Sequence, residues 1–126
     1  MPIRARTVLV VEDDRAIRYL FTEVLRGAGY EVIACENGTL GLEQARSRIG
    51  GIDAVITDST MPGLDSREMI DAIRAIRPEI PVVIVSGSME DGTARAGGDP
   101  GTLFLTKPLS PERLMMELQR LLAPAP

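Results

Sequence analysis

The chain has 126 residues, of which 44% are hydrophobic and 25% charged, a composition typical of one ordinary folded domain. Acidic residues outnumber basic ones by 18 to 14, and the formal charge of -4 argues against direct binding of nucleic acid. The sequence contains no histidine, which excludes histidine-based catalytic triads and histidine-ligated metal sites. We therefore expect one domain over residues 1–122, followed by an Ala/Pro tail over residues 123–126.

The cysteine content and the lengths of the apolar runs restrict the setting of the chain. The single cysteine, Cys35, has no partner for an internal disulfide, and its apolar neighbours predict a buried side chain. No segment reaches the roughly 18 apolar residues of a membrane helix. The N-terminus shows no signal-peptide pattern. We expect a cytoplasmic protein without membrane contacts.

The first half of the chain alternates between strand-like and helix-like patterns. A β-branched apolar run at residues 7–11 predicts a buried strand. Apolar residues at spacings of three and four over 17–28 then predict a helix. A strand at 31–35, a helix with apolar positions over 40–49, and a strand at 54–57 follow in the same order.

The second half repeats the alternation. A helical stripe over 69–76 precedes an apolar strand at 81–85. Another strand is predicted at 102–106, and Ser110 is a suitable N-cap for a last helix with apolar positions over 114–122.

The stretch between the fourth and fifth strands departs from this alternation. Residues 89–101 contain four glycines and a proline, and each interior glycine costs a helix about 1 kcal/mol. We expect a short or irregular helix there, in a segment that is mobile.

These elements together predict the fold. Strands that alternate with helices form a mainly parallel sheet covered on both faces, because the crossovers are right-handed. Five strands in a chain of this length predict a single α/β domain of the flavodoxin-like, doubly wound kind, with strand order 2-1-3-4-5. A barrel would need about twice the length.

Polar residues follow the strands at the ends where such sheets bind ligands. Glu12 and Asp13 follow the first strand, Asp58 ends the third, Ser86 follows the fourth, and Lys107 follows the fifth. We expect these five side chains to lie at one edge of the sheet.

The chemistry of this set points to phosphoryl transfer. Crowded carboxylates repel each other unless a cation neutralises them, and an all-oxygen site suits Mg²⁺. A lysine beside that metal requires a further anion between them, which a phosphoryl group provides. An aspartate nucleophile that becomes an aspartyl-phosphate satisfies all of these groups. The residues alone therefore predict Mg²⁺-dependent phosphoryl transfer to an aspartate.

Four segments resemble the motifs of response-regulator receiver domains of two-component signalling, in the same order and spacing. They are VLVVEDD at residues 8–14, TDSTMPG at 57–63, VSG at 85–87 and TKP at 106–108. The run Asp99-Pro100-Gly101 is similar to the receivers at the C-terminus of hybrid histidine kinases. The resemblance extends over nearly the whole chain.

The resemblance implies a metal site and a phosphorylation site. Asp58 corresponds to the phosphoacceptor, and Glu12 and Asp13 to the acidic pair that holds Mg²⁺. The main-chain carbonyl of Thr60 corresponds to a further metal ligand. Glu12 stands where aspartate is commoner in the family, and Ser66 stands where glycine is frequent, for which we expect little chemical consequence.

The resemblance also implies a switch and a class of partner. Lys107 corresponds to the lysine that pairs with the phosphoryl oxygens, Ser86 to the switch hydroxyl and Phe104 to the switch aromatic. The phosphodonor would be a phosphohistidine on a histidine kinase or a histidine phosphotransfer protein. Such a domain catalyses only its own phosphorylation and dephosphorylation, and we expect either a stand-alone regulator or one domain of a longer protein.

Two other functions remain open at this point. A degenerate receiver would act as an unphosphorylated interaction module; the intact acidic set with Lys107 argues against this function, and the irregular segment at 89–101 keeps it open. A Mg²⁺-dependent phosphatase with an aspartyl nucleophile would usually need a second aspartate at the position of Thr60, and a cap over its substrate.

Overall fold

The computed structural model describes residues 5–59, 65–87 and 101–122. Within these ranges it contains five strands and four α-helices, with a short 3-10 turn at Ile49–Gly51 after the second helix. The elements, in chain order, are β1 (Thr7–Val11), α1 (Arg15–Gly27), β2 (Glu31–Cys35), α2 (Gly38–Arg48), β3 (Ala54–Asp58), α3 (Ser66–Ile76), β4 (Val82–Ser86), β5 (Thr102–Thr106) and α4 (Pro111–Leu122).

The strands form one parallel sheet in the order β2-β1-β3-β4-β5, which confirms the predicted topology. The third and fourth strands each extend one residue beyond their predicted ends, so β3 includes Asp58 and β4 includes Ser86. Asp58 lies opposite Val85, and Ser86 lies opposite Thr106. The register therefore places the ends of β3, β4 and β5 side by side.

Helices cover both faces of the sheet, and each face has its own apolar core. β1, β3 and β4 are buried along their whole length, as their continuous apolar runs predict. One core cluster includes Ala45 of α2 and Ile73 of α3, together with Cys35, which is buried as expected. The other includes Leu25 of α1 and Leu118 of α4.

Polar side chains fix where the helices begin. Asp14 accepts a hydrogen bond from the Ile17 N–H (3.0 Å) at the start of α1, and Asp65 accepts one from the Arg67 N–H (2.9 Å) at the start of α3. Ser110 accepts from the Arg113 N–H at 3.1 Å, so the predicted N-cap of the last helix is confirmed.

One sequence-based expectation differs from the structure, and several others lie outside the described residues. Leu20 belongs to the apolar positions predicted for the first helix, yet it is 47% exposed because α1 turns Phe21 and Leu25 towards the sheet. The predictions of a short or irregular helix and of mobility fall mainly on residues 88–100, outside the described residues, as do Thr60 and the tail at 123–126. None of the helices in the described ranges is both long enough and apolar enough to span a membrane.

Candidate functional site

An acidic cluster lies at the carboxyl edge of the sheet. Glu12 and Asp13 follow the last residue of β1, and Asp58 is the last residue of β3. One carboxylate oxygen from each lies within 4.8 Å of the other two. Glu12 is 2% exposed and Asp58 6%, whereas Asp13 faces solvent. The adjacent strands β1 and β3 thus bring together the three predicted carboxylates.

Lys107 completes the cluster from the end of β5. Its Nζ donates a hydrogen bond to Asp58 Oδ2 at 2.9 Å and lies 3.7 Å from Glu12 Oε1. Its backbone N–H donates to the Ser86 carbonyl at 2.7 Å, which extends the pairing of β4 and β5 by one step. The lysine is therefore fixed at its main chain and at its charged end.

The electrostatics of the cluster show an excess of negative charge. Burial, reinforced by the charge of Asp58, raises the pKa of Glu12 from 4.5 to about 7, although the bond from the Asp14 N–H opposes the shift. Burial lowers the pKa of Lys107, but the hydrogen bond to Asp58 and the charge of Glu12 outweigh it and leave that pKa above its ordinary value. The single positive charge of Lys107 therefore does not neutralise the negative charge of the three carboxylates.

The residues present fit a divalent cation. The three side chains offer oxygen ligands only, which suit a hard ion such as Mg²⁺ rather than a soft metal. Burial and, to a smaller extent, the charge of Asp58 raise the pKa of Glu12, so ionisation of this carboxyl group is unfavourable in the metal-free cluster, and a bound cation would favour the ionised form.

Backbone contacts hold Glu12 in place. Its N–H donates to the Cys35 carbonyl of β2 at 3.0 Å, and its Oε2 accepts from the Asp14 N–H at 3.0 Å. Arg18, on α1, donates from Nη1 to the Glu12 carbonyl at 2.8 Å. No pattern in the sequence indicates this role for Arg18, because the contact depends on how a long side chain folds back over the loop before its helix.

The predicted switch residues lie on neighbouring strands. Ser86 is 1% exposed at the end of β4, and Phe104 of β5 lies opposite Ile84. Since Ile84 and Ser86 are two residues apart, Ser86 and Phe104 belong to the same face of the sheet. Phe104 is half-buried and packs against the core cluster on the α2 and α3 side. The structure therefore brings both residues to one side of the sheet.

Ser59, which directly follows Asp58, is hydrogen-bonded to two other elements. The Ser59 N–H donates to the Val85 carbonyl of β4 at 3.0 Å. The hydroxyl of Ser66, at the start of α3, donates to the Ser59 carbonyl at 3.0 Å. Sequence reasoning gave Ser66 no part in the site, although the one available signal was that Ser66 stands where glycine is frequent in the family.

A doubly wound domain that gathers three carboxylates and a lysine at the carboxyl edge of its sheet has the features of a phosphate-accepting signalling domain. The family model described as the response regulator receiver domain matches residues 8–119. The chain therefore belongs to the receiver-domain family of two-component signalling, whose members accept phosphate from histidine kinases and bind Mg²⁺ at an acidic pocket.

Curated relatives are much longer proteins. The sensor kinase CckA of Brucella abortus (strain 2308) is 34% identical over 117 residues, which cover 92% of this chain and 12% of that protein. The transcriptional regulatory protein ZraR of Klebsiella oxytoca is 34% identical over 92% of this chain and 26% of its own length. The chain thus spans from about an eighth to about a quarter of these relatives.

Solved structures match over nearly the whole chain. The receiver domain of the hybrid histidine kinase CckA is 31% identical with a TM-score of 0.80, covering 92% of this chain and 98% of that one. A response regulator receiver protein from Sinorhizobium medicae WSM419 is 29% identical with a TM-score of 0.84, covering 94% of both chains. The predicted likeness to receivers of hybrid histidine kinases is confirmed.

Proposed function

We propose that this domain takes a phosphoryl group from a phosphohistidine onto Asp58 in a Mg²⁺-dependent reaction, and that the donor is a histidine kinase or a histidine phosphotransfer protein of the cytoplasm. The observation that carries the proposal is the contact of Lys107 Nζ with Asp58 Oδ2 at 2.9 Å inside the acidic cluster. The contact supports the proposal because a carboxylate that attacked phosphorus from this position would lie beside the cation that a transferred phosphoryl group needs.

The proposed reaction is a displacement at phosphorus. A carboxylate oxygen of Asp58 forms the new P–O bond while the P–N bond to the donor imidazole breaks. The imidazole nitrogen leaves with the bonding electron pair and takes up a proton. Lys107 then exchanges its contact with the Asp58 carboxylate for the phosphoryl oxygens, so its charge is used before and after transfer.

Glu12, Asp13 and Asp58 are the side chains that would hold Mg²⁺, with the Thr60 main-chain carbonyl as the further ligand that the family resemblance assigns. When bound, the ion neutralises charge between the carboxylates and the incoming phosphoryl oxygens. The Glu12 side chain is one methylene longer than the aspartate commoner at this position, and its carboxylate lies in the cluster while its backbone is held by the Cys35 carbonyl and by Arg18.

The proposed output is a change in protein contacts. A phosphoryl group on Asp58 adds an anion beside the end of β4, where the buried Ser86 lies, and attracts the Ser86 hydroxyl. Phe104, on the same sheet face and only half-buried, then moves towards the space that Ser86 vacates.

The test is intact-protein mass spectrometry after incubation with Mg²⁺ and phosphoramidate or acetyl phosphate. We expect a gain of one phosphoryl group in the wild type and none in Asp58→Asn. Asp71→Asn is the matched control, because Asp71 is an exposed aspartate of α3 whose ion pair with Arg67 is at 3.9 Å.

Two other results would contradict the proposal. A wild-type protein that neither gains a phosphoryl group nor binds beryllofluoride would be an interaction module. Rapid hydrolysis of small phosphoesters would instead indicate a phosphatase.

A further inference from the structure

The side chain of Arg18 folds back from α1 over the loop that carries two of the proposed metal ligands. Its Nη1 donates to the Glu12 carbonyl at 2.8 Å and lies 3.5 Å from the Asp13 carbonyl. A hydrogen bond from a charged donor is stronger than one between neutral groups. One guanidinium nitrogen therefore faces the carbonyl oxygens of both peptide groups that flank Asp13.

Three consecutive peptide groups of this loop are hydrogen-bonded. The Glu12 N–H donates to the Cys35 carbonyl at 3.0 Å, the Glu12 carbonyl accepts from Arg18, and the Asp14 N–H donates to Glu12 Oε2 at 3.0 Å. Since each peptide group is planar, these bonds fix the directions in which the side chains of Glu12 and Asp13 leave the main chain. The middle one of the three bonds comes from a side chain, so a substitution of Arg18 removes it without changing a carboxylate.

The main chain of Arg18 is held by a packed helix. Its N–H donates to the Asp14 carbonyl at 2.9 Å, and its carbonyl accepts from the Thr22 hydroxyl at 2.7 Å. On the same helix Phe21 and Leu25 are buried in the core cluster that α1 shares with α4. The guanidinium is thus anchored to the core at one end and to the loop at the other.

We infer that Arg18 is a positioning residue for the Mg²⁺ site, an inference that rests on the proposed function. Its bond to the loop main chain holds Glu12 and Asp13 where their carboxylate oxygens lie within 4.8 Å of an Asp58 oxygen. Mg²⁺ demands near-ideal octahedral geometry, so its affinity depends on how well the ligands are held in place before it binds. Groups that orient metal ligands from outside the coordination sphere support affinity in this way.

The charge of Arg18 and its hydrogen bond act on Mg²⁺ affinity with opposite signs. Repulsion between two cations means that removal of the guanidinium charge alone would tighten Mg²⁺ binding. Removal of the bond frees the loop and weakens binding. The contact of Lys107 with Asp58 at 2.9 Å does not involve Arg18, so the nucleophile and the lysine stay in place.

The test compares Arg18→Met with the wild type, because methionine keeps an unbranched apolar stem and removes the donors. We expect calorimetric titration to show a Mg²⁺ dissociation constant about tenfold higher, at the lower end of the effect of losing a group that orients a ligand. The phosphorylation rate with phosphoramidate at saturating Mg²⁺ should stay within about twofold. In EDTA, amide exchange should become faster at Glu12 and stay unchanged at Val10, in the interior of β1.

Arg15→Met is the matched control. Arg15 is the exposed first residue of α1, and its side chain has no hydrogen bond or ion pair with any other residue that the structure describes. The variant removes the same charge from the same end of the helix and should not raise the Mg²⁺ dissociation constant. Circular dichroism checks that each variant is folded, and Arg18→Ala provides the measurement if Arg18→Met does not fold.

A folded Arg18 variant that binds Mg²⁺ as tightly as the wild type, or more tightly, would overturn the inference. So would an equal loss of affinity in Arg15→Met, or a slower rate at saturating Mg²⁺ with unchanged affinity. Failure of the proposed function is a separate result, because the wild type itself would then bind no Mg²⁺ or gain no phosphoryl group.

Discussion

Glu12 lies in an unfavourable environment for an ionised carboxylate, since it is 2% exposed and lies close to Asp58. Burial and that neighbouring charge raise its pKa to about 7 from 4.5. At pH values between these two pKa values, the Glu12 side chain binds more protons in the folded state than in the unfolded state. The contribution of Glu12 to the stability of the metal-free protein therefore falls as pH rises through this range.

Glu12→Gln should accordingly stabilise the metal-free protein at pH 8, by on the order of 2 kcal/mol, because glutamine keeps the shape of the protonated acid. The gain should shrink towards pH 5, where the wild-type side chain is protonated in the folded state. Urea unfolding in EDTA at both pH values measures it. A variant that is less stable than the wild type at both would contradict this account.

We expect Lys107 to affect the phosphorylation chemistry more than the stability of the fold. Lys107→Ala removes the cation 2.9 Å from Asp58, and we expect phosphorylation by phosphoramidate to slow by about a hundredfold. Mg²⁺ should bind at least as tightly as in the wild type, because the variant has one positive charge fewer near the site. Rates and calorimetric affinities measure the two effects.

The matched control for Lys107→Ala is Arg120→Ala. It removes a cation from an exposed pair with Glu117 on α4 and should leave both quantities unchanged. Equal rates in Lys107→Ala and the wild type would show that the lysine does not act on the phosphoryl group.

At the scale of residues, the sequence predicts where the charged side chains of the site lie, but it does not predict their individual hydrogen bonds. Carboxylates at the ends of β1 and β3 and a lysine after β5 could be placed together, because strand ends share one edge. The bonds from Arg18 and Ser66 to main-chain carbonyls could not be predicted. They depend on side-chain paths and loop shape, which no periodicity in the sequence records.

At the scale of elements, α2 lies unusually close to the sheet at Gly41. A Cβ atom built there would lie 2.8 Å from a Val11 methyl carbon and 3.0 Å from the Met69 sulfur. Both neighbours are buried in the same core cluster, so there is little space for them to move. The glycine is needed for close approach rather than for a turn.

Gly41→Ala should therefore destabilise the protein by about 1–3 kcal/mol through overpacking, despite the better helix propensity of alanine. Gly27→Ala, at the end of α1, is the matched control, since nothing lies within 4 Å of its added Cβ. That variant should be neutral or slightly stabilising. Equal denaturation midpoints for the two variants would show that α2 can shift without cost.

The sequence predicts which segments are helices and which are strands, whereas it predicts the residues at which they begin and end less well. The continuous apolar runs of β1, β3 and β4 predicted strands buried on both faces. The starts of α1 and α3 are set by single capping bonds from Asp14 and Asp65, outside the apolar pattern. Leu20 was misplaced because an apolar residue at helical spacing need not face the sheet.

At the scale of the whole molecule, the topology assembles the site. Right-handed crossovers bring residues far apart in sequence, such as Glu12, Asp58 and Lys107, to one edge of a single sheet. The convergence could be predicted from strand order, but the distances could not, because they depend on register and on backbone contacts such as Lys107 to Ser86. Those distances make the cluster a candidate for phosphoryl chemistry.

The most direct test of the central claim is to locate the phosphoryl group by borohydride trapping. Borohydride reduces an aspartyl-phosphate to homoserine, so peptide mass spectrometry of the phosphorylated, reduced protein identifies the acceptor. We predict homoserine at position 58 only when both Mg²⁺ and the phosphodonor are present. Trapping at another aspartate, or no trapping in a protein that gains a phosphoryl group, would contradict the assignment of Asp58.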